Sequence, residues 1–569
     1  MPCSARWRAD PIWRSAPFTC GSKQDPCVDG PVDSRRMHRV LAISLDGFDV
    51  RLADEWQLPN LTALRSESAT ATLHSGTAHL TGLTGEHLAT GLDPVASGRA
   101  SAVQFAPETY ACTQVGSSGA PVFGAVPTVV FDPCYFQLSV AGPEVVGITD
   151  WGAHDPGEPA TARPADLFAE VKQRFGPYPA RQWMYATPWA SPAECAQMAA
   201  DLTEAVHRRS EIAAWLLSER LPDWRLGIVC VSEAHSATEG LYHGVDPAAH
   251  WRSCPSREAA AAGLRSVYMA IDQLVGDLLA QFGDDLHVVF SLHGMGANSS
   301  DVPSMLLLGE LLARWSGRST PDLSFPVNAD GLPLLPDGVP WGAAIADAID
   351  PARGVQRLVS RTSRHLPAPA LRRLQAIRSA ITRGRSVQPG PGSLDWMPLM
   401  RHQPHWSAMR AFAIPSFYDG SVRVNVRGRE ASGCVDPSDY HQVLDELEAL
   451  LRSCRDPVSG APATAGFQRP FDDPMSAGPS DADLVIEWGE GILGFAHPGL
   501  GTIGPVPPRR TGGHSSPLGR CLVHGPGVVV ADLGLGSSFD VVPTLLDLAG
   551  SPAPWPISGQ PLPVLFASP

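Results

Sequence analysis

The stretch His38–Gly47, HRVLAISLDG, sets the expectation for the whole fold. Its apolar run, from Val40 to Leu45, is typical of a strand that is buried on both faces of a parallel sheet. Asp46 follows this run at the carboxyl end of the strand, and ligands of open α/β sheets bind along that edge. Asp46 is therefore a candidate metal or substrate ligand, and the simpler alternative is a turn residue that ends the strand.

Two later stretches repeat this design. The apolar run Gly227–Ser232 leads to His235, and the run His287–Ser291 leads to His293. A long amphipathic helical pattern precedes each of these two runs, and strand–helix–strand at this spacing indicates a parallel sheet. We therefore expect three strands to deliver polar side chains to one edge of the sheet.

Composition narrows the class of protein. With 569 residues, 44% of them hydrophobic, the chain is long enough for one large α/β domain with insertions. The excess of 58 acidic over 43 basic residues argues against a nucleic-acid partner. The 11 cysteines are scattered without a CxxC pair, and no stretch has the length of a membrane span or the apolar core of a signal peptide. A cytoplasmic protein without a membrane partner is expected.

Changes in composition along the chain predict its organisation. We expect a disordered tail at 1–36, a first part of the core at 37–317, an inserted cap or variable region at 318–400, and a second part of the core at 401–569. The Pro- and Gly-rich region 318–400 contains a basic segment, Arg353 to Arg385, with nine arginines. This segment is either a solvated helix face or an electropositive lid that recruits an anionic substrate.

A dense Thr-, Gly- and His-rich stretch, Leu80–Gly98, has the sequence LTGLTGEHLATGLDPVASG. Its centre has the pattern of a helix start, with Thr81 at the amino end. A hydroxyl at a helix N-terminus beside a metal site is where a phosphate would be attacked and held. A threonine with only a structural capping role is the alternative.

The candidate site residues suit metal and phosphoryl chemistry. Imidazole and carboxylate side chains gathered at one sheet edge suit Zn²⁺ or Mn²⁺, and a nearby threonine suits transfer through a covalent intermediate. If the segment after the second strand is helical, His235, Glu239 and His243 share one face of that helix. The candidates are Asp46, Thr81, His235, Glu239, His293 and His514, with His243 in reserve.

The order of motifs in this sequence resembles the alkaline phosphatase superfamily, specifically its type I phosphodiesterase/nucleotide pyrophosphatase branch and bacterial phosphohydrolase relatives. The resemblance implies a three-layer αβα sandwich with a mostly parallel central sheet. The motifs, in order, are LDG at 45–47, LPNL at 58–61, TGLDP at 90–94, SEAHSATEGLYHGVDP at 232–247, SLHGM at 291–295, AFAIPSFYDGSVRVNVRGRE at 411–430, GGH at 512–514, GPG at 525–527 and DVVPTLLDLAG at 540–550.

The resemblance also implies roles for individual residues. Thr81 lies nine residues before the TG of TGLDP, where the family has its nucleophile; an offset copy of the pattern at Thr72 fits less well. Asp46 corresponds to the aspartate ligand of one metal, and His293 to the histidine of the family's DHG motif. His514 corresponds to a ligand of the other metal.

This sequence departs from the family pattern at several positions. Leu292 stands where the family usually has the Asp of DHG, and Ser97 replaces the histidine of TGLxPxxHG. Glu233 is either a compensating carboxylate or a surface residue. His235 and Glu239 stand where the family usually has Asp-x-x-x-His. The two implied ligand sets are Asp46, Thr81 and His293, and His235, Glu239 and His514.

The sequence therefore predicts an enzyme: a metal-dependent phosphodiesterase, pyrophosphatase or phosphatase that acts on a small anionic phosphate ester through a phosphothreonine. One or two Zn²⁺ ions are expected, with Mn²⁺ as an alternative. The competing hypothesis, favoured by Leu292, is a degenerate or single-metal relative with weak or no turnover. A sulfatase is rejected because the only CxPxR-like segment, Cys254–Arg257, has the wrong spacing.

Overall fold

The computed structural model describes residues 38–155, 157–184, 191–323, 325–335, 339–350 and 392–567. The expected tail at 1–36 and the basic segment from Arg353 to Arg385 lie outside the described residues. Among the described helices, none is long and apolar enough to cross a membrane. The cysteines within the described ranges are all free thiols.

Strands and helices alternate through most of the described chain. The strands are β1 Val40–Leu45, β2 Ala69–His74, β3 Val103–Ala106, β4 Ala111–Gln114, β5 Thr128–Phe131, β6 Val145–Thr149, β7 Thr161–Arg163, β8 Leu226–Val231, β9 Leu286–Ser291, β10 Gly294–Ala297, β11 Ala411–Ile414, β12 Gly420–Val424, β13 Thr464–Gln468, β14 Leu484–Trp488, β15 Phe495–His497, β16 Gly501–Ile503, β17 Gly512–Ser516, β18 Leu518–His524 and β19 Ala531–Ser537. The α-helices are α1 Val50–Trp56, α2 Pro59–Ser66, α3 Thr84–Thr90, α4 Pro94–Ser97, α5 Leu167–Phe175, α6 Pro192–Trp215, α7 Glu233–Leu241, α8 Arg257–Gln281, α9 Leu308–Trp315, α10 Trp341–Ile349, α11 Tyr440–Arg452 and α12 Val541–Ala549.

A nine-stranded sheet forms the centre of the fold, in the order β19-β2-β18-β9-β1-β8-β5-β6-β7. All strands run in one direction except β18 and β7. The central strand β1 is parallel to both neighbours, with Leu45 opposite Val231 of β8 and Ser44 opposite Phe290 of β9. The carboxyl ends of β1, β8 and β9 therefore meet at one edge, as predicted.

Side chains of β1 alternate between two separate hydrophobic clusters. Leu41 and Ile43 belong to the cluster that contains α6 and α8, whereas Val40 and Ala42 belong to the cluster that contains α12. The strand is thus buried on both faces, which explains why its sequence is an almost continuous apolar run. The predicted three-layer αβα sandwich with a mostly parallel central sheet is confirmed.

A second sheet lies outside the sandwich. The strands β11, β12, β14 and β13 form a four-stranded antiparallel sheet, and its hydrophobic cluster also takes in α9 and α11. We expected the range 401–569 to belong to the core. Its first part, 411–488, instead builds this second sheet, whereas 512–549 returns to the first sheet and its α12 layer. The short connection between β11 and β12 favours antiparallel hairpin pairing over insertion into a parallel sheet. The division of the chain into core and cap stays a prediction.

Candidate active site

Four of the predicted site residues line one cavity at the carboxyl edge of the central strands. Asp46 follows β1, His235 lies in the first turn of α7 directly after β8, and His293 lies two residues after β9. His514 reaches the same cavity from β17. The cavity has a volume of about 50 Å³, which exceeds the space that a single water needs.

Asp46 and His235 form a direct contact at the floor of this cavity. His235 Nδ1 lies 3.0 Å from Asp46 Oδ2. Burial alone would raise the pKa of Asp46, but His235 and His293 outweigh burial and lower this pKa. An ionised carboxylate only accepts hydrogen bonds, so His235 donates from Nδ1, and in the neutral ring Nε2 then carries the lone pair.

His514 is oriented by the backbone of a distant segment. Its Nδ1 donates a hydrogen bond to the carbonyl oxygen of His79 at 3.0 Å. Burial lowers the pKa of His514 well below its ordinary value, so its imidazole is neutral and its Nε2 also carries a lone pair. The Nε2 atoms of His514 and His235 face each other at 3.2 Å.

Glu239 lies one helical turn after His235 and is fully buried. Its Oε1 is 3.6 Å from His235 Nε2 and also contacts the guanidinium of Arg510, which Asp301 holds at 2.7 and 2.8 Å. Its Oε2 is buried and receives no hydrogen bond from any residue that the structure describes. A buried carboxylate oxygen without a donor is costly unless a cation lies beside it.

His154 joins this group, although no sequence pattern selected it. Its ring stacks on that of His235 with 3.8 Å between centroids and 20° between planes. His154 Nε2 lies 3.7 Å from Glu239 Oε1, and one ligand atom each of His154, His235 and Glu239 fall within 4.8 Å of one another. The loop after β6 carries His154, and neither strand-end pattern nor motif marks that loop. We call His154, His235, Glu239 and His514 the donor-rich half of the site.

The other half, which we call donor-poor, consists of Asp46 and His293. His293 Nδ1 donates to the carbonyl oxygen of Gly294 at 3.1 Å, and burial lowers the pKa of His293. Leu292, which stands where the resemblance placed a third ligand, lines the cavity with an apolar side chain. This half therefore offers two side-chain ligands before any threonine is counted.

Thr81 and Thr84 differ in how their hydroxyls are used. The helix that we predicted to begin at Thr81 is α3, which begins three residues later at Thr84. The Thr81 hydroxyl donates to the carbonyl oxygen of Ala78 at 2.8 Å and accepts from the amide of Leu83 at 3.1 Å. The Thr84 hydroxyl is buried with no hydrogen-bond partner among the described residues, and of these two threonines only Thr84 lines the cavity.

Neither the reserve candidate His243 nor Glu233 reaches the site, and Glu233 is buried. α7 ends at Leu241, and the following 3₁₀ turn leaves His243 bonded to Ser256 at 3.0 Å, with its ring against Trp251. Glu233 binds the fully buried Arg209 at 2.8 Å. Both residues therefore support packing behind the site.

Comparison with known proteins finds one matching family. Residues 40–315 match the family described as type I phosphodiesterase / nucleotide pyrophosphatase. This segment of the chain belongs to that family. The membership confirms the resemblance inferred from the sequence and supports phosphoester hydrolysis as the class of activity. A search of curated proteins finds no match.

Two solved structures are similar to the chain. Both are phosphonoacetate hydrolase from Sinorhizobium meliloti 1021, one in complex with phosphonoformate and one with phosphonoacetate. Each shares 14% sequence identity with the chain over 90% of this chain and 96% of that chain, with TM-scores of 0.44 and 0.45 respectively.

The type I phosphodiesterase / nucleotide pyrophosphatase segment carries most of the site but not all of it. The segment contains five residues of the two halves: Asp46, His154, His235, Glu239 and His293. His514 comes from β17, beyond the matched residues, and antiparallel pairing of β17 with β10 places it next to His293. The site is thus assembled from the family segment and from a strand nearly 200 residues later in the chain.

Proposed function

We propose that the chain hydrolyses small anionic phosphate esters with a divalent metal ion held in the donor-rich half, zinc being the first candidate and Mn²⁺ the second. One observation carries this proposal: the Nε2 lone pairs of His235 and His514 face each other at 3.2 Å, beside the unpartnered Oε2 of Glu239. Lone pairs at that distance repel unless a cation lies between them.

The donor set fits a zinc-type ion in both chemistry and spacing. Two nitrogens bound at ~2.0–2.1 Å to one tetrahedral zinc stand roughly 3.3 Å apart, close to the 3.2 Å observed between the two Nε2 atoms. Two or three neutral imidazoles and one carboxylate are a typical zinc set. Such an ion would supply Lewis-acid chemistry, that is, polarisation of a phosphoryl oxygen and activation of a hydroxyl or water.

The chain's own residues prepare the site for this chemistry. Asp46 fixes the tautomer of His235, and the His79 carbonyl fixes that of His514, so that both rings present lone pairs to the same volume. Arg510 neutralises part of the charge on Glu239 and is itself held in place by Asp301. A preorganised, buried charge cluster of this kind needs little rearrangement when an anionic substrate enters.

We propose Thr81 as the nucleophile, on the family resemblance. Its oxygen would form a bond to phosphorus as the bond to the ester's leaving oxygen breaks. The Thr81 hydroxyl would give up its proton, and the departing alkoxide would take one up and leave as the alcohol. Water would then cleave the phosphothreonine and restore the hydroxyl. Thr84 is a second candidate, since its unpartnered hydroxyl lies at the start of α3 and lines the cavity.

Single substitutions separate these two threonines. With a chromogenic aryl phosphodiester and the matching monoester, Thr81→Ala should lower kcat by at least about 1,000-fold, and Thr84→Ala by about tenfold, because the second loses only one contact to the phosphoryl group. Thr72→Ala, an exposed position on β2, is the matched control and should keep wild-type turnover. The reverse order of the first two effects would move the nucleophile to Thr84. Mass spectrometry of acid-quenched enzyme should place the trapped phosphoryl group on the same residue.

The competing function, a degenerate or single-metal protein with weak or no turnover, is favoured by the apolar Leu292 in the donor-poor half. Elemental analysis of purified protein tests it. Two ions per chain would support hydrolysis by the family mechanism, and one ion would leave both functions open until turnover is measured. The absence of any bound ion after metal reconstitution would favour the degenerate protein.

A further inference from the structure

Tyr418 reaches the candidate site from the second sheet. It lies between β11 and β12, is buried, and lines the same cavity as Asp46 and His293. Tyr418 lies within the stretch 411–430 that resembles the family, and the sequence assigned it no role at the site. Its position in the cavity therefore requires its own explanation.

The ring of Tyr418 packs between a candidate ligand and the candidate nucleophile's loop. It stacks face to face on His514, with 4.0 Å between ring centroids and 20° between ring planes. On the other side, its Cε2 lies 3.3 Å from the position that a Cβ on Gly82 would occupy. Gly82 has φ +70° and follows Thr81 directly, so a glycine there gives both the backbone turn and the room for the ring.

This packing limits the motion of His514. The imidazole is held at Nδ1 by the His79 carbonyl and across its face by the phenol ring. Groups that contact a metal ligand without binding the metal orient that ligand, and their loss typically weakens metal binding by about 10–100-fold. The Tyr418 ring is placed to do this for His514.

The hydroxyl of Tyr418 has a separate role available to it. Within the described residues it makes no hydrogen bond to protein, although it belongs to a buried side chain at the cavity wall. A phenol is protonated at neutral pH and can donate one hydrogen bond. An oxyanion bound in this cavity would offer the acceptor that the protein does not supply.

We propose that Tyr418 is a substrate-binding and positioning residue: its ring fixes His514, and its hydroxyl donates a hydrogen bond to a non-bridging oxygen of the phosphoryl group in the cavity. This inference rests on the proposed function for the identity of the anion. The second sheet then contributes directly to recognition of the substrate, beyond its role as a separate packing unit.

Two substitutions test the two roles separately. Tyr418→Phe keeps the ring and removes the hydroxyl, so zinc affinity should stay within about twofold of wild type, while kcat/KM falls by roughly 10–100-fold and inorganic phosphate binds correspondingly more weakly. Tyr418→Ala should in addition weaken zinc binding by at least about tenfold. Zinc affinity is measured against a chromophoric chelator, and phosphate binding to the zinc-loaded enzyme by calorimetry.

Tyr110→Phe is the matched control, because its hydroxyl donates to Asn425, just after β12, at 2.8 Å, and neither residue lines the cavity. It should leave zinc affinity, phosphate affinity and kcat/KM unchanged.

Wild-type phosphate affinity and kcat/KM in Tyr418→Phe would overturn the hydroxyl's role, and wild-type zinc affinity in Tyr418→Ala would overturn the ring's role. If the wild-type protein hydrolyses no ester yet binds phosphate, the proposed function fails, and the phosphate arm still decides the role of Tyr418. If it binds neither zinc nor phosphate, both proposals fall.

Discussion

The two halves of the candidate site stand next to each other, yet they differ in how many ligands they offer. The donor-rich half has three imidazoles and one carboxylate, with lone pairs facing across 3.2 Å. The donor-poor half has Asp46 and His293 beside an apolar Leu292. A shared sheet edge therefore brings polar side chains together, but the identity of a few residues decides whether an ion can be held there.

A second cavity behind the donor-poor half sharpens this difference. Leu292 and Thr84 line both cavities, and the second is also lined by His79 and His87. Its volume is about 10 Å³, enough for one water at most. His79 and His87 thus face this second, smaller cavity, and neither lines the first.

The largest expected effect separates the two halves directly. His235→Ala should weaken the affinity for Zn²⁺ by at least about 100-fold, because it removes one ligand and the contact that Asp46 makes with the site. His293→Ala should leave the affinity of the donor-rich half within about threefold. Titration against a chromophoric chelator measures both, and equal losses in the two variants would show that the halves bind one shared ion.

A second prediction concerns His87, which lines the second cavity. Burial lowers the pKa of His87 to about 4, and neither ring nitrogen has a hydrogen-bond partner among the described residues. Between pH 6.5 and 4 the unfolded chain therefore binds more protons at this residue than the folded chain does. The free energy of unfolding should fall as the pH falls through this window, by about 2 kcal/mol at pH 5 relative to pH 7.5 from His87 alone.

Urea unfolding at the two pH values measures this contribution. His87→Leu should remove that part of the pH dependence, whereas the exposed His441→Asn control should retain it. An unchanged pH dependence in His87→Leu would mean that His87 has a hydrogen-bond partner in solution and stays out of the acid transition.

The smallest expected effect comes from giving the donor-poor half a third ligand. Leu292→Asp places a carboxylate at the cavity wall beside Asp46 and His293, so the number of Zn²⁺ ions per chain should rise from one to two. The isosteric Leu292→Asn supplies no charge and should leave the number at one. Elemental analysis after dialysis gives both values. Two ions in the wild-type protein would remove the distinction between the halves.

The local pattern of the chain was enough to predict much of this architecture. Apolar runs that end in polar residues gave β1, β8 and β9 and their common edge, because strands buried on both faces need continuous apolar sequence. The start of α6 is also locally encoded, since Ser191 and Glu194 form a capping box and Pro192 occupies the first turn. Motif order added the family, which the match over 40–315 confirms.

Periodicities of a few residues are thus enough to predict the sheet edge and the residue types that reach it. Long-range packing, in contrast, stacks His154 on His235, brings Arg510 to Glu239 and places Tyr418 over His514. These contacts join loops and strands far apart in the chain. Their geometry depends on how the two sheets and their connections pack, and no local pattern encodes that packing.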